Sequence, residues 1–261
     1  VIRIAAVGDV HLGEDARGRL RPALEHLPDH ADLLLLAGDL TKHGTLAEAR
    51  VVAEEFAGLP VPVVAVLGNH DHHADVPEQI AALLTDHGIH VLEGESTVLR
   101  LDGAAVGVAG VKGFGGGFAG KCGSAFGEPE MKSFVRHTEK VAARLADALH
   151  AIDVPVRVAL THYSPVTDTL RGEPLEIYPF LGSYLLAEAI DDAGAALAVH
   201  GHAHFGTEHG TTPGGVRVRN VAQPVIRCAY KVYNLHGPDE RGDQSASATG
   251  GQASPHSTSR A

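Results

Sequence analysis

The chain has 261 residues, 21 Lys and Arg against 32 Asp and Glu, and a formal net charge of −11, with mean hydropathy near zero. These values describe a globular chain long enough to bury a large core, and the acidic balance argues against a nucleic-acid partner, whose phosphates call for Lys and Arg. The most apolar run, Leu33–Ala37, is far shorter than the ~18 residues of a spanning helix, so no membrane partner is expected either.

In chain order, Ile2–Val7, Asp32–Ala37 and Val61–Leu67 are short apolar runs rich in branched residues, each ending in a Gly-containing turn as buried strands do. Helical patterns lie between them, over Arg17–Leu27 and over Leu46–Phe56. The second is opened by Thr45 with Glu48 three residues on, a capping box. This rhythm of about thirty residues is that of βαβ units and a parallel sheet. Pro77–His87 reads as a third helix. Val98–Leu101 and Ala105–Ala109 read as a hairpin, followed by the glycine-rich stretch Gly110–Gly127. A long amphipathic helix is expected over Pro129–His150, then a strand over Val156–Leu160, a helix over Pro179–Ala193 and a strand over Leu197–His200. Val216–Val221 and Val225–Leu235 would close the fold as antiparallel strands. One domain is expected over residues 1–236. Gly237–Ala261 contains no Val, Ile, Leu, Met or aromatic residue and reads as a disordered tail.

No basic-then-apolar leader opens the sequence, and Cys122 and Cys228 fit neither a disulfide framework nor a zinc spacing. A cytoplasmic location is the expectation that follows. The 18 histidines are several times the usual share, and histidine is the commonest metal ligand. Five short motifs carry them or stand beside them at strand ends: Gly8-Asp9-Val10-His11, Gly38-Asp39, Gly68-Asn69-His70-Asp71, Thr161-His162 and Gly201-His202-Ala203-His204. A parallel sheet brings Asp9, Asp39 and Asn69 to its carboxyl edge, where ligands bind. Carboxylate and amide oxygens with imidazole nitrogens suit Mn, Fe, Zn or Co better than Ca. The donors exceed the needs of one ion and suit two, if one carboxylate bridges. Two such ions can activate a water and clamp a phosphoryl group. Singly, each motif is ordinary turn or surface chemistry. Ordered along the chain, each after an apolar run, they point to a dinuclear site.

The set Asp9/His11, Asp39, Asn69-His70-Asp71, His162 and His202/His204 resembles the five-motif signature of the calcineurin-like metallophosphoesterases, in its bacterial dinuclear-metal form. The resemblance spans residues 8 to 204 with no ligand position substituted. It implies an α/β fold of two mixed sheets packed face to face with helices outside, a four-layer α/β/β/α sandwich. It also implies that Asp9, His11 and His204 hold one transition-metal ion (Mn, Fe or Zn). Asn69, His162 and His202 would hold a second, and Asp39 would bridge. His70 would be catalytic, meeting the phosphate or leaving group, steadied by Asp71. The implied activity is hydrolysis of a small phosphate mono- or diester by a metal-bridging hydroxide. Two divalent ions between two carboxylates leave the inner site at about +2, so an anionic ester is attracted despite the acidic chain.

Other residues make weaker claims. His72 and His73 read first as a solvated loop, with the substrate mouth as the alternative. His200 reads as core or as support for a ligand. Gly110–Gly127 is either a lid, with Lys112 or Lys121 reaching phosphate, or a surface excursion. Arg171 and Tyr178 are weak candidates for substrate contact. Two functional alternatives stand: a non-catalytic scaffold of the same fold, and a small-substrate nuclease or cyclic-nucleotide phosphodiesterase. In the cyclic-nucleotide branch a further Asp typically follows the third motif, where this chain has His72.

Overall fold

The computed structural model describes residues 1–101 and 103–235; the expected tail over Gly237–Ala261 and the expected domain end at His236 lie outside them. The strands are β1 (Ile2–Val7), β2 (Leu33–Ala37), β3 (Val63–Val66), β4 (Ile89–Val91), β5 (Glu95–Leu101), β6 (Ala104–Val111), β7 (Gly117–Phe118), β8 (Lys121–Cys122), β9 (Arg157–Thr161), β10 (Leu197–His200), β11 (His209–Thr211), β12 (Arg217–Asn220) and β13 (Lys231–Leu235). The helices are α1 (Arg21–Leu24), α2 (Leu27–His30), α3 (Leu46–Phe56), α4 (Pro77–Asp86), α5 (Pro129–His150), α6 (Tyr178–Leu181), α7 (Tyr184–Asp192) and α8 (Gln223–Ile226).

Two large sheets result, in the orders β13-β1-β2-β3-β4 and β11-β12-β10-β9-β6-β5. Both are mixed. In the first, β1 to β4 run parallel and β13 pairs antiparallel with β1. In the second, β12, β10, β9 and β6 run parallel, with β11 and β5 antiparallel at the edges. Alternation along the strands sorts side chains between layers. Ile2, Ile4 and Ala6 of β1 join Leu33 and Leu35 of β2 in the core between the sheets, against Val158, Leu160 and Val199. Ala5 and Val7 point the other way, into a core shared with Ala49, Val52 and Phe56 of α3 and Ile80 and Leu84 of α4. A third core joins Val141, Leu145 and Leu149 of α5 and Leu186 and Ile190 of α7 to the outer face of the second sheet. These three cores separate four layers, helix, sheet, sheet and helix, as the motif resemblance implies. Strands covered on both faces read as unbroken apolar runs, and β2 is Leu-Leu-Leu-Leu-Ala.

Several expected elements differ. The single helix over Arg17–Leu27 is two one-turn helices, because Pro22 and Pro28 each start a new turn. Its entry is fixed from outside: the buried Glu55 carboxylate accepts the backbone N–H groups of Leu20 at 2.8 Å and Arg21 at 2.7 Å. The helix over Pro179–Ala193 breaks at Gly182-Ser183. A Cβ on Gly182 would stand 1.9 Å from the Ser164 carbonyl oxygen, so the chain passes there in extended form and restarts with Ser183 capping Leu185. The segment Val225–Leu235 is α8 followed by β13, separated by Arg227 in the left-handed region. The closing strands lie in different sheets, and β12 runs parallel to β10. Within Gly110–Gly127, residues up to Phe118 are anchored: Gly116 N–H donates to Pro179 at 2.7 Å and Gly117 N–H to Gly182 at 2.9 Å. Among the described residues no helix is long and apolar enough to cross a membrane.

Candidate metal centre

Asp9, Asp39 and Asn69 follow β1, β2 and β3 of the first sheet. His162 follows β9, and His202 and His204 follow β10 of the second. All six therefore stand at carboxyl ends of parallel strands, where the two sheets meet. The loops are tied side by side: Asp9 N–H donates to the Gly38 carbonyl at 2.9 Å, and Leu12 N–H to that of Leu40 at 2.9 Å. Asp9, His11, Asp39 and His202 all have positive φ, between 42° and 68°. Left-handed backbone outside glycine costs roughly 1–3 kcal/mol per residue and gathers at functional sites. Gly68 is required where it stands, since a Cβ there would lie 2.1 Å from Asp39 Oδ1.

The donors form two groups that share Asp39. Asp9, His11, Asp39 and His204 offer ligand atoms all within 4.8 Å of one another, and so do Asp39, His162 and His202. In the first group His204 Nε2 lies 2.8 Å from Asp9 Oδ1 and 3.4 Å from His11 Nε2, with Asp39 Oδ2 3.8 Å from His11 Nε2. In the second, Asp39 Oδ1 is 3.3 Å from His162 Nε2, and Asn69 Oδ1 is 2.9 Å from the same nitrogen. One oxygen of Asp39 thus faces each group. The donor chemistry fits two transition-metal ions: oxygen and imidazole, without thiolate. His162 Nδ1–H donates to the Ala37 carbonyl at 2.8 Å, which leaves Nε2 as its ligand atom.

Electrostatics follow from this packing. Burial opposes the charge on Asp39, but the His162 imidazolium and its hydrogen bond outweigh it and hold the carboxyl well below the usual range. Burial likewise opposes the charge on His162, and Asp39 overcomes it, raising the imidazole to about 9. Burial and repulsion from His162 push His202 down to about 3, so it is neutral. In the metal-free protein one proton therefore rests on His162, against Asp39.

His70 lies beside the first group, its ring centroid 4.4 Å from that of His11 and its Nε2 4.0 Å from Asp39 Oδ2. Its Nδ1–H donates to the Lys42 carbonyl at 2.9 Å, and its backbone N–H to Asp39 Oδ1 at 2.8 Å. The expectation that Asp71 steadies this ring needs correction. Asp71 is fully buried and accepts from Thr41 N–H at 2.8 Å, Thr41 Oγ1–H at 2.6 Å, Gly68 N–H at 2.8 Å and Leu40 N–H at 3.2 Å. It binds the second and third motif loops together and so fixes Lys42, whose carbonyl orients the ring.

The weaker candidates separate. His200 is buried and held by Thr169 Oγ1 at 2.8 Å and the Gly201 carbonyl at 2.7 Å, with burial lowering it to about 4; it supports the fifth motif loop. His72 is half-buried and His73 exposed. Arg171 pairs with Asp168 at 2.9 Å, and the Tyr178 hydroxyl donates to the Leu170 carbonyl at 2.9 Å, so both are engaged in their own loop. Lys121 is exposed on the β7–β8 hairpin. Sequence reasoning missed Thr41 and Lys42, which act through backbone or hydroxyl groups, and Tyr163, whose ring packs 4.3 Å from that of His202. Only the place of Tyr163, next to the fourth motif, could have drawn notice.

The sequence matches the family of calcineurin-like phosphoesterases over residues 2–206, more than half of the chain, and the protein belongs to that family. The fold is shared with solved structures of low identity. A phosphopantetheinyl hydrolase from Mycobacterium tuberculosis superposes with a TM-score of 0.64 at 16% identity, covering 90% of this chain and 96% of that one. A Thermus thermophilus protein, TT1561, gives 0.52 at 20% identity, covering 90% and 99%. A putative 5′-nucleotidase from Staphylococcus aureus gives 0.53 at 14%, covering 84% of this chain and 48% of its own. No curated protein matches in sequence.

Proposed function

We propose that the protein is a metal-dependent phosphoesterase that hydrolyses a small phosphate mono- or diester. The observation that carries this reading is the pair of donor groups sharing one buried carboxylate, Asp39. Asp9, His11 and His204 would hold one ion and Asn69, His162 and His202 the other, with Asp39 shared between the two groups; Mn, Fe or Zn suits these donors. Such a pair supplies, when bound, an activated water and positive charge for the phosphoryl oxygens. The protein's own residues do the rest. The His162 Nδ1–H bond to Ala37 keeps its Nε2 directed into the site. His70, anchored through Nδ1, presents Nε2 to the leaving oxygen; as the imidazolium it would give its Nε2 proton to that oxygen and be left as the Nδ1–H imidazole.

The test is Mn-dependent release of p-nitrophenolate from p-nitrophenyl phosphate and bis(p-nitrophenyl) phosphate, with metal analysis of the same samples. The wild type should hold two ions per chain and turn over at least one ester. Asp39→Asn should lose both ions and fall to background. Two bound ions with no turnover across a wide mono- and diester panel would favour the scaffold alternative.

A further inference from the structure

Two phenylalanines stand exposed beside the fifth motif, Phe180 at 60% and Phe205 at 76%. Both are held there by their backbone. Phe180 lies between Pro179, whose carbonyl accepts Gly116 N–H at 2.7 Å, and Leu181, whose carbonyl accepts Ser164 N–H at 2.9 Å. Gly115 packs directly against it, since a Cβ there would stand 3.2 Å from Phe180 Cα. The Phe180 carbonyl lies 3.4 Å from His202 Nε2, which puts this residue against an imidazole of the second ligand group. Phe205 directly follows His204. Its N–H donates to the buried Glu173 carboxylate at 2.8 Å, and its carbonyl passes so close to Gly172 that a Cβ there would meet it at 2.1 Å.

Further rings continue from Phe180. Its centroid is 6.3 Å from that of Phe134, which is 5.0 Å from Phe114; Phe114 is 6.0 Å from Tyr163, and Tyr163 4.3 Å from His202. This series starts at His202 and returns to it through the Phe180 carbonyl, so it forms one aromatic wall beside the second ligand group. Lys112 occupies its inner part, with Nζ 5.3 Å from the Phe114 ring centre and 5.2 Å from that of Tyr163, and Phe180 is its exposed end. Scattered single apolar side chains on a surface are ordinary, but a contiguous group marks a binding face. Leu175 and Ile177, in the turn that leads into α6, are exposed as well. Residues 237–261 hold no Val, Ile, Leu, Met or aromatic side chain that could cover this face. It is continuous with His202 and His204, so a phosphoryl group at those imidazoles has its organic substituent within reach of these rings.

We infer that Phe180 and Phe205 are specificity-determining residues that receive an apolar organic group of the phosphate ester. This inference rests on the phosphoesterase reading above. Its substrate class is a phosphate ester that carries an alkyl or aryl chain, rather than a small polar head group. Because both phenylalanines sit on pinned backbone, the contact is formed in advance and little ordering is left for the substrate to bring about.

The experiment measures equilibrium binding to the Mn-loaded protein by calorimetry, with butylphosphonate and octylphosphonate as probes, whose carbon–phosphorus bond is not an ester. The wild type should bind octylphosphonate about 10- to 100-fold more tightly, the gain from partly burying four added methylenes. Phe180→Ser and Phe205→Ser should each reduce that preference, and the double variant should bring it below about threefold, with butylphosphonate affinity changed less than about threefold. Phe180→Leu should restore part of it. Tm and metal content should hold in all of them, since both side chains are exposed. Equal affinity of the wild type for both probes, or no binding of either, overturns the inference. So does a chain-length preference that survives in the double variant, or an equal loss for both probes. A dimer that dissociates in the double variant without any chain-length effect would overturn it too, and make this face a contact between copies of the chain. Bis(p-nitrophenyl) phosphate turnover is followed in parallel. Turnover without a chain-length preference leaves the phosphoesterase reading standing and removes the apolar subsite. A Phe180-dependent preference without turnover of any ester sinks the enzymatic reading and leaves the subsite.

Discussion

His70 is held through one ring nitrogen only. With Nδ1–H on the Lys42 carbonyl, the other nitrogen is left facing Asp39 and the space above the donors. A proton donor matters most when the departing oxygen is basic, and a positioned general acid contributes ~10²–10⁴-fold. His70→Ala should therefore slow hydrolysis of an alkyl phosphate ester by about that factor, and slow a p-nitrophenyl ester far less. Metal content should stay at the wild-type level. Equal losses on both esters would make His70 an electrostatic contact to the phosphoryl oxygens. His162 carries a second prediction. Its pKa is raised from 6.5 to about 9, so the stability it lends the metal-free protein is complete below pH 6.5 and lost as pH rises through about 9. Metal binding needs the neutral imidazole, so it must displace that proton. Mn titrations at pH 7 should release close to one proton, seen as a binding enthalpy that depends on the buffer. Apparent affinity should rise about tenfold per pH unit until pH 9. A buffer-independent enthalpy would place the proton elsewhere.

At the scale of elements, α3 shows local rules and long-range contacts agreeing. Thr45 Oγ1 accepts Glu48 N–H at 3.2 Å, and the Glu48 carboxylate accepts Thr45 N–H at 3.3 Å, the capping box read from the sequence. Glu48 also accepts the His43 backbone N–H and holds the His43 ring, each at 2.8 Å. Thr45→Ala should cost about 1 kcal/mol in urea unfolding. Glu48→Ala should cost more, because it also frees the loop that follows Lys42. If both substitutions cost the same, the His43 bonds contribute nothing. The pair α1 and α2 shows the opposite case. Its apolar spacing suggested one helix, yet Pro22, Pro28 and the distant Glu55 divide it.

For the whole molecule, the donors are divided between two sheets. Asp9, Asp39 and Asn69 belong to one, and His162, His202 and His204 to the other. Ions held between them would tie the two halves of the sandwich together as well as activate water. A ligand present at 100 times its Kd adds about 2.7 kcal/mol to the folded state. For a domain of this size that corresponds to roughly 5–10 °C in Tm. Chelation should lower Tm by about that amount and Mn should restore it. Asp39→Asn should be insensitive to both, and a chelator-insensitive wild type would mean that the ions do not link the sheets.

The apolar runs of β1 and β2 and the five strand-end motifs were legible because they are local: an apolar run, a short spacing. The runs pointed to a parallel sheet, the motifs brought the donor residues forward by name, and the two-sheet class came with the family resemblance that the motifs carry. The sequence could not show that Asp39 turns one oxygen to each donor group, that Asp71 serves Thr41 and Gly68 instead of the His70 ring, or that Lys112 lies against Tyr163. Those facts depend on contacts between residues thirty or more positions apart, or on which way one carboxylate turns. Strand pairing and sheet packing decide both, and neither leaves a periodic trace in the chain.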